Sequence, residues 1–272
     1  MKIGAALAAA ARRLAPHSDT ARLDVELLMA HALGTSRDDV VLHRLDDPVP
    51  PAFEPLLARR EAGEPVAYII GRRAFWTIEL EVGPGALVPR PDSETLIEAA
   101  VEHFGERVPR RILDLGTGPG TLLLAALSQW WEASGVGIDA SAEALAYARR
   151  NAERLGLAER AELGLGDWTE GLAGRFDLIL CNPPYVEADT PLPRDVADWE
   201  PAEALFAGPD GLDSYRRLAP LLRPHLAVGG LACVEIGAGQ AAAVSALFAA
   251  RGFTISSRDD LKGIPRCLLL EA

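Results

Sequence analysis

The chain is predicted to be an α/β protein with a mainly parallel sheet, preceded by a small helical amino-terminal domain. Two textures in the sequence lead there. Beyond Val88, apolar runs of strand length at 112–115, 136–138, 178–181, 231–236 and 267–270 are separated by stretches of helical character. Strand alternating with helix argues for a parallel sheet covered on both faces. Before Arg73 no strand pattern is present, and apolar residues recur at helical spacing between breakers.

In chain order, the alanine-rich run 5–11 followed by Arg12 and Arg13 reads as a first helix, far short of the ~20 residues of a membrane span. Ser18 to Thr20 offer caps for a second helix carrying Leu23, Leu27, Leu28 and Leu33 and ending at Gly34. Ser36 and Asp39 resemble a capping box, and Pro50-Pro51 open a further helix that stops at Gly63. Residues 75–82 alternate in strand fashion and close on Gly83-Pro84, a hairpin-like connector. The expected organisation is a helical domain over 1–72, a hairpin linker over 73–87 and the α/β domain over 88–272.

Composition narrows the function. Of 272 residues, 49% are hydrophobic and 24% charged, ordinary for a folded protein, and the net charge is -12. Proteins that hold duplex nucleic acid neutralise phosphates with Lys and Arg, so nucleic acid is disfavoured as the main partner. The paired arginines at 59–60, 72–73, 110–111, 149–150 and 216–217 read as solvated helix faces or loops. Cys181, Cys233 and Cys267 sit apart in apolar runs and suggest neither a disulfide framework nor a metal site, which fits a reducing cytoplasm. No membrane association is expected.

The strand over 112–115 ends in Gly116-Thr117-Gly118-Pro119-Gly120 and leads into a helical stretch. Glycines at a strand's carboxyl end let the backbone turn tightly against a ligand, where open α/β sheets bind nucleotide-like molecules. A dinucleotide site requires G-x-G-x-x-G, but position 121 is Thr121, and no GK[ST] ending follows. With Asp114 two places before it, the G-x-G-x-G run instead resembles the first motif of Rossmann-like methyltransferases. Asp139 closes the next apolar strand, where a carboxylate grips ribose hydroxyls in such folds. Asp167 and Trp168 follow a further apolar segment, at the place where methyltransferases surround adenine.

The most specific signal is Asn182-Pro183-Pro184-Tyr185, directly after the apolar strand at 178–181. Two prolines cannot continue a central sheet, so the chain must leave it in a fixed extended shape. The residue types suit a planar NH2 acceptor, whose lone pair is delocalised and must be turned toward a methyl donor. Asn182 can accept one N–H through its side-chain oxygen, the Pro183 carbonyl can accept the other, and Tyr185 can wall the planar group.

Together with Gly63-Glu64-Pro65-Val66-Ala67-Tyr68, Val88-Pro89-Arg90-Pro91-Asp92-Ser93-Glu94, Gly208-Pro209-Asp210-Gly211 and Gly263-Ile264-Pro265-Arg266, these motifs resemble the HemK/PrmC family of protein-(glutamine-N5) methyltransferases nearly end to end. The resemblance implies a Rossmann-like class I methyltransferase domain, S-adenosyl-L-methionine as methyl donor, and class 1 peptide chain release factors as partners. It implies cofactor contacts from Asp114, Gly116, Thr117, Gly118, Pro119, Gly120, Asp139, Asp167, Trp168 and Asn182. Asn182, Pro183, Pro184 and Tyr185 would bind the substrate, with Asn182, Pro183 and Tyr185 catalytic. Pro119 departs from the small polar residue common there. Rival readings are methylation of a ribosomal-protein glutamine, an adenine-N6 nucleic-acid methyltransferase with a similar tetrad, and a binding module that keeps the fold without the chemistry.

Overall fold

A computed structural model describes residues 1–272. The chain divides into two compact units, Met1–Arg72 with Leu192–Glu200, and Arg73–Pro191 with Pro201–Ala272.

The first unit is helical, built from Ile3–Leu14, Ala21–Leu33, Arg37–His43, Phe53–Glu61 and the short Val66–Ile70. Ile3, Leu7, Ala10 and Leu14 recur on one face of the first helix and pack with Val25, Leu28, Met29, Val40, Phe53 and Leu57. Leu23, expected on the apolar face of the second helix, is exposed, and the buried ladder runs through Ala21, Val25, Leu28 and Met29. Gly34 ends that helix in the left-handed conformation at φ 66°. Ser36 caps the next by accepting from the Asp39 amide at 3.1 Å. The Asp39 carboxylate turns instead to Thr35 and Arg44, so only half of the expected box forms.

Leu192–Glu200 belongs to this unit although it lies far along the chain, which the contiguous boundaries read from the sequence do not anticipate. The physical link is Arg60. Read as half of a solvated pair, it is instead buried, donating to Asp24 at 2.8 Å and to Asp195 at 3.1 Å.

The second unit opens with a two-stranded hairpin, β1 (Arg72–Phe75) and β2 (Ile78–Glu81). Its turn falls at Trp76-Thr77, inside the run read as one alternating strand. Trp76 adopts φ 53°, unusual for a side-chain-bearing residue. Tertiary bonds hold it there: its backbone N–H donates to Glu94 at 2.8 Å and its indole to Gln129 at 3.2 Å.

The main sheet comprises β3 (Arg111–Leu115), β4 (Ser134–Asp139), β5 (Ala161–Leu165), β6 (Phe176–Cys181), β7 (Leu226–Glu235), β8 (Thr254–Asp259) and β9 (Pro265–Glu271). Their spatial order is β5-β4-β3-β6-β7-β9-β8. Strands β3 to β7 are parallel, and β9 runs antiparallel to both β7 and β8. The edge strands β5 and β8 carry no apolar run and no fully buried residue, which is why sequence periodicity misses them. The order reverses between β3 and β6, the topological switch point beside which α/β sheets bind ligands. Both strands are buried, and Glu94–Phe104, Thr121–Gln129, Ala142–Arg154, Asp213–His225 and Ala241–Ala249 supply the helices of the unit. No helix is long and apolar enough to cross a membrane.

Candidate active site

The switch point carries two loops. After β3, Gly116, Gly118 and Gly120 all take positive φ (72°, 57° and 87°), the region that only glycine enters freely. A Cβ on Gly120 would also meet Leu124 at 2.7 Å. The Gly116 and Thr117 amides donate to the Ile138 carbonyl at 2.9 and 3.1 Å, tying the loop to the end of β4.

Asp114 is completely buried beneath this loop. Its Oδ2 accepts from the Thr117 hydroxyl at 2.7 Å and from the Leu123 amide at 3.0 Å, in the first turn of the following helix. Its Oδ1 has no partner. Burial pushes its pKa up to about 7, against the pull of those two bonds. Asp139 accepts from the Gly118 amide at 2.7 Å and from Ser141 N–H at 2.8 Å, so its carboxylate is locked at the rim of the loop. The following helix is capped by Ser141, which accepts from Ala144 N–H at 3.1 Å.

The second loop follows β6. Asn182 donates through Nδ2 to the Ser93 hydroxyl at 3.1 Å. Pro183 is buried. The Tyr185 hydroxyl donates to Glu235 Oε1 at 3.2 Å, and its backbone carbonyl accepts from Gln240 Nε2 at 3.0 Å. Burial and the Glu235 charge raise the Tyr185 pKa, keeping its phenol protonated. Beyond the tetrad, Val186 N–H donates to Leu205 at 2.8 Å and Ala188 N–H to Gly208 at 2.9 Å, so the 205–208 segment flanks the loop.

A cavity of about 740 Å³ lies between the loops. It is lined by Asp114, Gly116, Thr117, Gly118, Pro119, Asp139, Asp167, Trp168, Asn182 and Pro184 among the residues singled out from sequence. Gly120, Pro183 and Tyr185 are not on its wall. Gly120 sits behind the loop, and Tyr185 turns its hydroxyl inward to Glu235. Trp168, at φ 52°, both lines the cavity and packs against the core, while exposed Asp167 accepts from Arg217 at 2.5 Å.

Sequence reading did not assign Ser93, Asn151 or Glu235. Asn151 is buried on Ala142–Arg154, donates to the Pro119 carbonyl at 3.0 Å, and pairs with both backbone groups of Glu81. Nothing local marks it, because its partners are 32 and 70 residues away. Ser93 lies within the 88–94 motif, and its bond to Asn182 forms only when the end of β6 is brought beside it.

Residues 5–71 match the PrmC N-terminal domain and residues 92–195 the methyltransferase small domain. The chain is 46% identical to a release factor glutamine methyltransferase from Rhodospirillum rubrum, over 91% of this chain and 78% of that protein. A release factor glutamine methyltransferase from Cereibacter sphaeroides is 44% identical, over 98% of this chain and 97% of its own length. A solved methyltransferase from Pyrococcus furiosus shares the fold at a TM-score of 0.54 and 19% identity, covering 78% of this chain and 95% of that one. With relatives this similar over 78% and 97% of their own lengths, the chain belongs to the release factor glutamine methyltransferase family.

Proposed function

We propose that this chain transfers the methyl group of S-adenosyl-L-methionine to the side-chain amide nitrogen of the glutamine in the Gly-Gly-Gln motif of class 1 peptide chain release factors, in the cytoplasm. The observation that carries the reading is Asn182, whose NH2 is committed to Ser93, leaving its oxygen as an acceptor beside the cavity.

The cavity suits the methyl donor, which carries a sulfonium and an ammonium. Asp114 offers a buried oxygen with no partner, and Asp139, Glu143 and Asp213 add acidic wall. The two oxygens of Asp139 each retain a lone pair for ribose hydroxyls beyond the backbone bonds they accept. When bound, the donor supplies an electrophilic methyl on sulfur.

The protein's own task is orientation. Asn182 Oδ1 accepts one N–H of the substrate amide. The carbonyl of Pro183, buried between the lining residues Asn182 and Pro184 and reached only by a substrate that enters past them, accepts the other, turning the nitrogen lone pair out of conjugation and toward the methyl carbon. The donor's sulfur would keep the bonding pair as its methyl passes to nitrogen, and the amide proton held at Asn182 Oδ1 or the Pro183 carbonyl would pass to solvent. Tyr185 stays protonated throughout and acts through its bond to Glu235 rather than as a base. Residues 1–72 are proposed to hold the body of the release factor.

The test is transfer of labelled methyl to purified release factor, to a variant with that glutamine replaced, and to DNA. Label confined to the intact release factor is expected. Equal labelling of the glutamine-free variant, or preferential labelling of DNA, overturns the reading.

A further inference from the structure

An asparagine amide is nearly symmetric in shape, so packing alone does not decide whether its oxygen or its NH2 faces the cavity. The neighbours' hydrogen-bonding capacity must decide it. The Asn182 side chain bonds Ser93 Oγ, at 3.1 Å from Nδ2. A hydroxyl is ambivalent, because it can accept from Nδ2 or donate to Oδ1. Its direction depends on where its own proton goes.

We propose that Ser93 is the positioning residue that fixes the Asn182 amide with its oxygen toward the substrate, and that buried Glu235 fixes Ser93. Glu235 ends β7 at 1% exposure, and in its ionised form, which Ser93, Tyr185 and Arg266 favour against burial, it can only accept. One oxygen takes the Tyr185 hydroxyl proton, while Oε2 is buried with no settled partner. The Ser93 hydroxyl, buried at 2% exposure and bonded to Asn182, is the donor available to stabilise the charged form of this carboxyl. Leaving a buried carboxylate oxygen without a donor is costly, so the Ser93 proton is directed to Glu235. Ser93 then presents only lone pairs to Asn182, and only the NH2 of the amide can answer them. The polarity runs from Glu235 through Ser93 to Asn182, and leaves Oδ1 free for the reacting amide.

The elements involved are distant in sequence: the turn Pro91–Ser93, the end of β6 and the end of β7. The inference rests on the proposed amide-nitrogen chemistry for its kinetic consequence but not for the orientation itself. Two measurements separate the two. In nuclear magnetic resonance of the full chain, the Asn182 Nδ2 protons should be protected from solvent exchange in the parent protein and lose that protection in Ser93→Ala. Unchanged protection in the variant overturns the proposal, whatever the enzyme methylates.

In methyl transfer to the release factor, Ser93→Ala should lower kcat about tenfold with S-adenosyl-L-methionine affinity unchanged, and Ser93→Thr, which keeps the hydroxyl, should recover most of the loss. In an Asn182→Ala background the same Ser93→Ala change should cost nothing more. Additive losses would mean that Ser93 acts elsewhere, and overturn it. A parent enzyme that labels no glutamine would sink the functional reading, while the exchange experiment still decides the orientation.

Discussion

In the helical unit, the buried guanidinium of Arg60 donates to Asp24 at 2.8 Å and Asp195 at 3.1 Å, and Asp24 also accepts from Ser18 and Thr20. Buried Glu26 and Glu64 are likewise paired with arginines. In the α/β unit, Asp114 and Glu235 are as deeply buried, yet one oxygen of each lacks a hydrogen bond, the one on Glu235 being where the Ser93 proton is proposed to turn. The only other such atom, His103 Nε2, also lies in that unit. Buried groups with every partner supplied are there to hold a structure together. A buried carboxylate left short of donors carries a standing cost, and here both examples border the two loops around the cavity.

The contrast can be broken or sharpened by substitution. The largest effect is expected at Arg60. Arg60→Met strands Asp24 in the interior and should cost about 3 kcal/mol or more in stability, read from the denaturation midpoint. A loss below about 1 kcal/mol would mean that the ion pair contributes no more than a surface one.

Asn182→Ala should behave oppositely, with stability nearly unchanged and turnover reduced ~10²-fold or more while cofactor affinity holds. Parallel loss of turnover and affinity would instead make Asn182 part of the cofactor pocket. Asp114→Asn retains an acceptor for Thr117 and Leu123 but replaces the open oxygen. It should weaken S-adenosyl-L-methionine binding by about 1 to 3 kcal/mol in calorimetry without destabilising the free protein. A free protein that unfolds more easily would show that the carboxylate is structural.

The smallest effect is on pH dependence. Burial pushes Asp114 and Glu235 up to about 7, the latter despite donors at Ser93 and Tyr185 and nearby Arg266, with Asp92 adding to the rise. A raised carboxylate pKa favours the folded state fully below its unfolded value, and that stabilisation is lost as pH rises through the folded one. Stability of the free protein should therefore decline between roughly pH 4 and 7, and Asp114→Asn combined with Glu235→Gln should flatten that decline. Glu26 has the opposite sign: burial opposes it, but Arg22 and Arg37 hold its pKa below the usual range, so its contribution disappears in acid. A stability profile with no fall toward neutral pH would contradict the assigned burial effect.

How much of this was legible in advance depended on distance along the chain. The five central strands were visible as apolar runs because both their faces are covered, and the three glycines were visible because their backbone angles exclude other residues. Asn182-Pro183-Pro184-Tyr185 could be read because prolines after a buried strand force an exit at a known edge. The hairpin turn was displaced by bonds from Trp76 to Glu94 and Gln129, which no local rule contains.

By itself, then, the sequence determined the fold class, the edge of the sheet at which the site forms, and the residue types available there. These follow from short-range effects: periodic burial, glycine backbone freedom and proline's fixed φ. Only the tertiary structure decided that Leu192–Glu200 joins the helical unit, that Asn151 clamps the glycine loop, that Ser93 bonds Asn182 and that Glu235 bonds Tyr185. Each is a partnership between groups remote in the chain, and the direction of a hydrogen bond is set by the nearest donor or acceptor in space rather than in sequence.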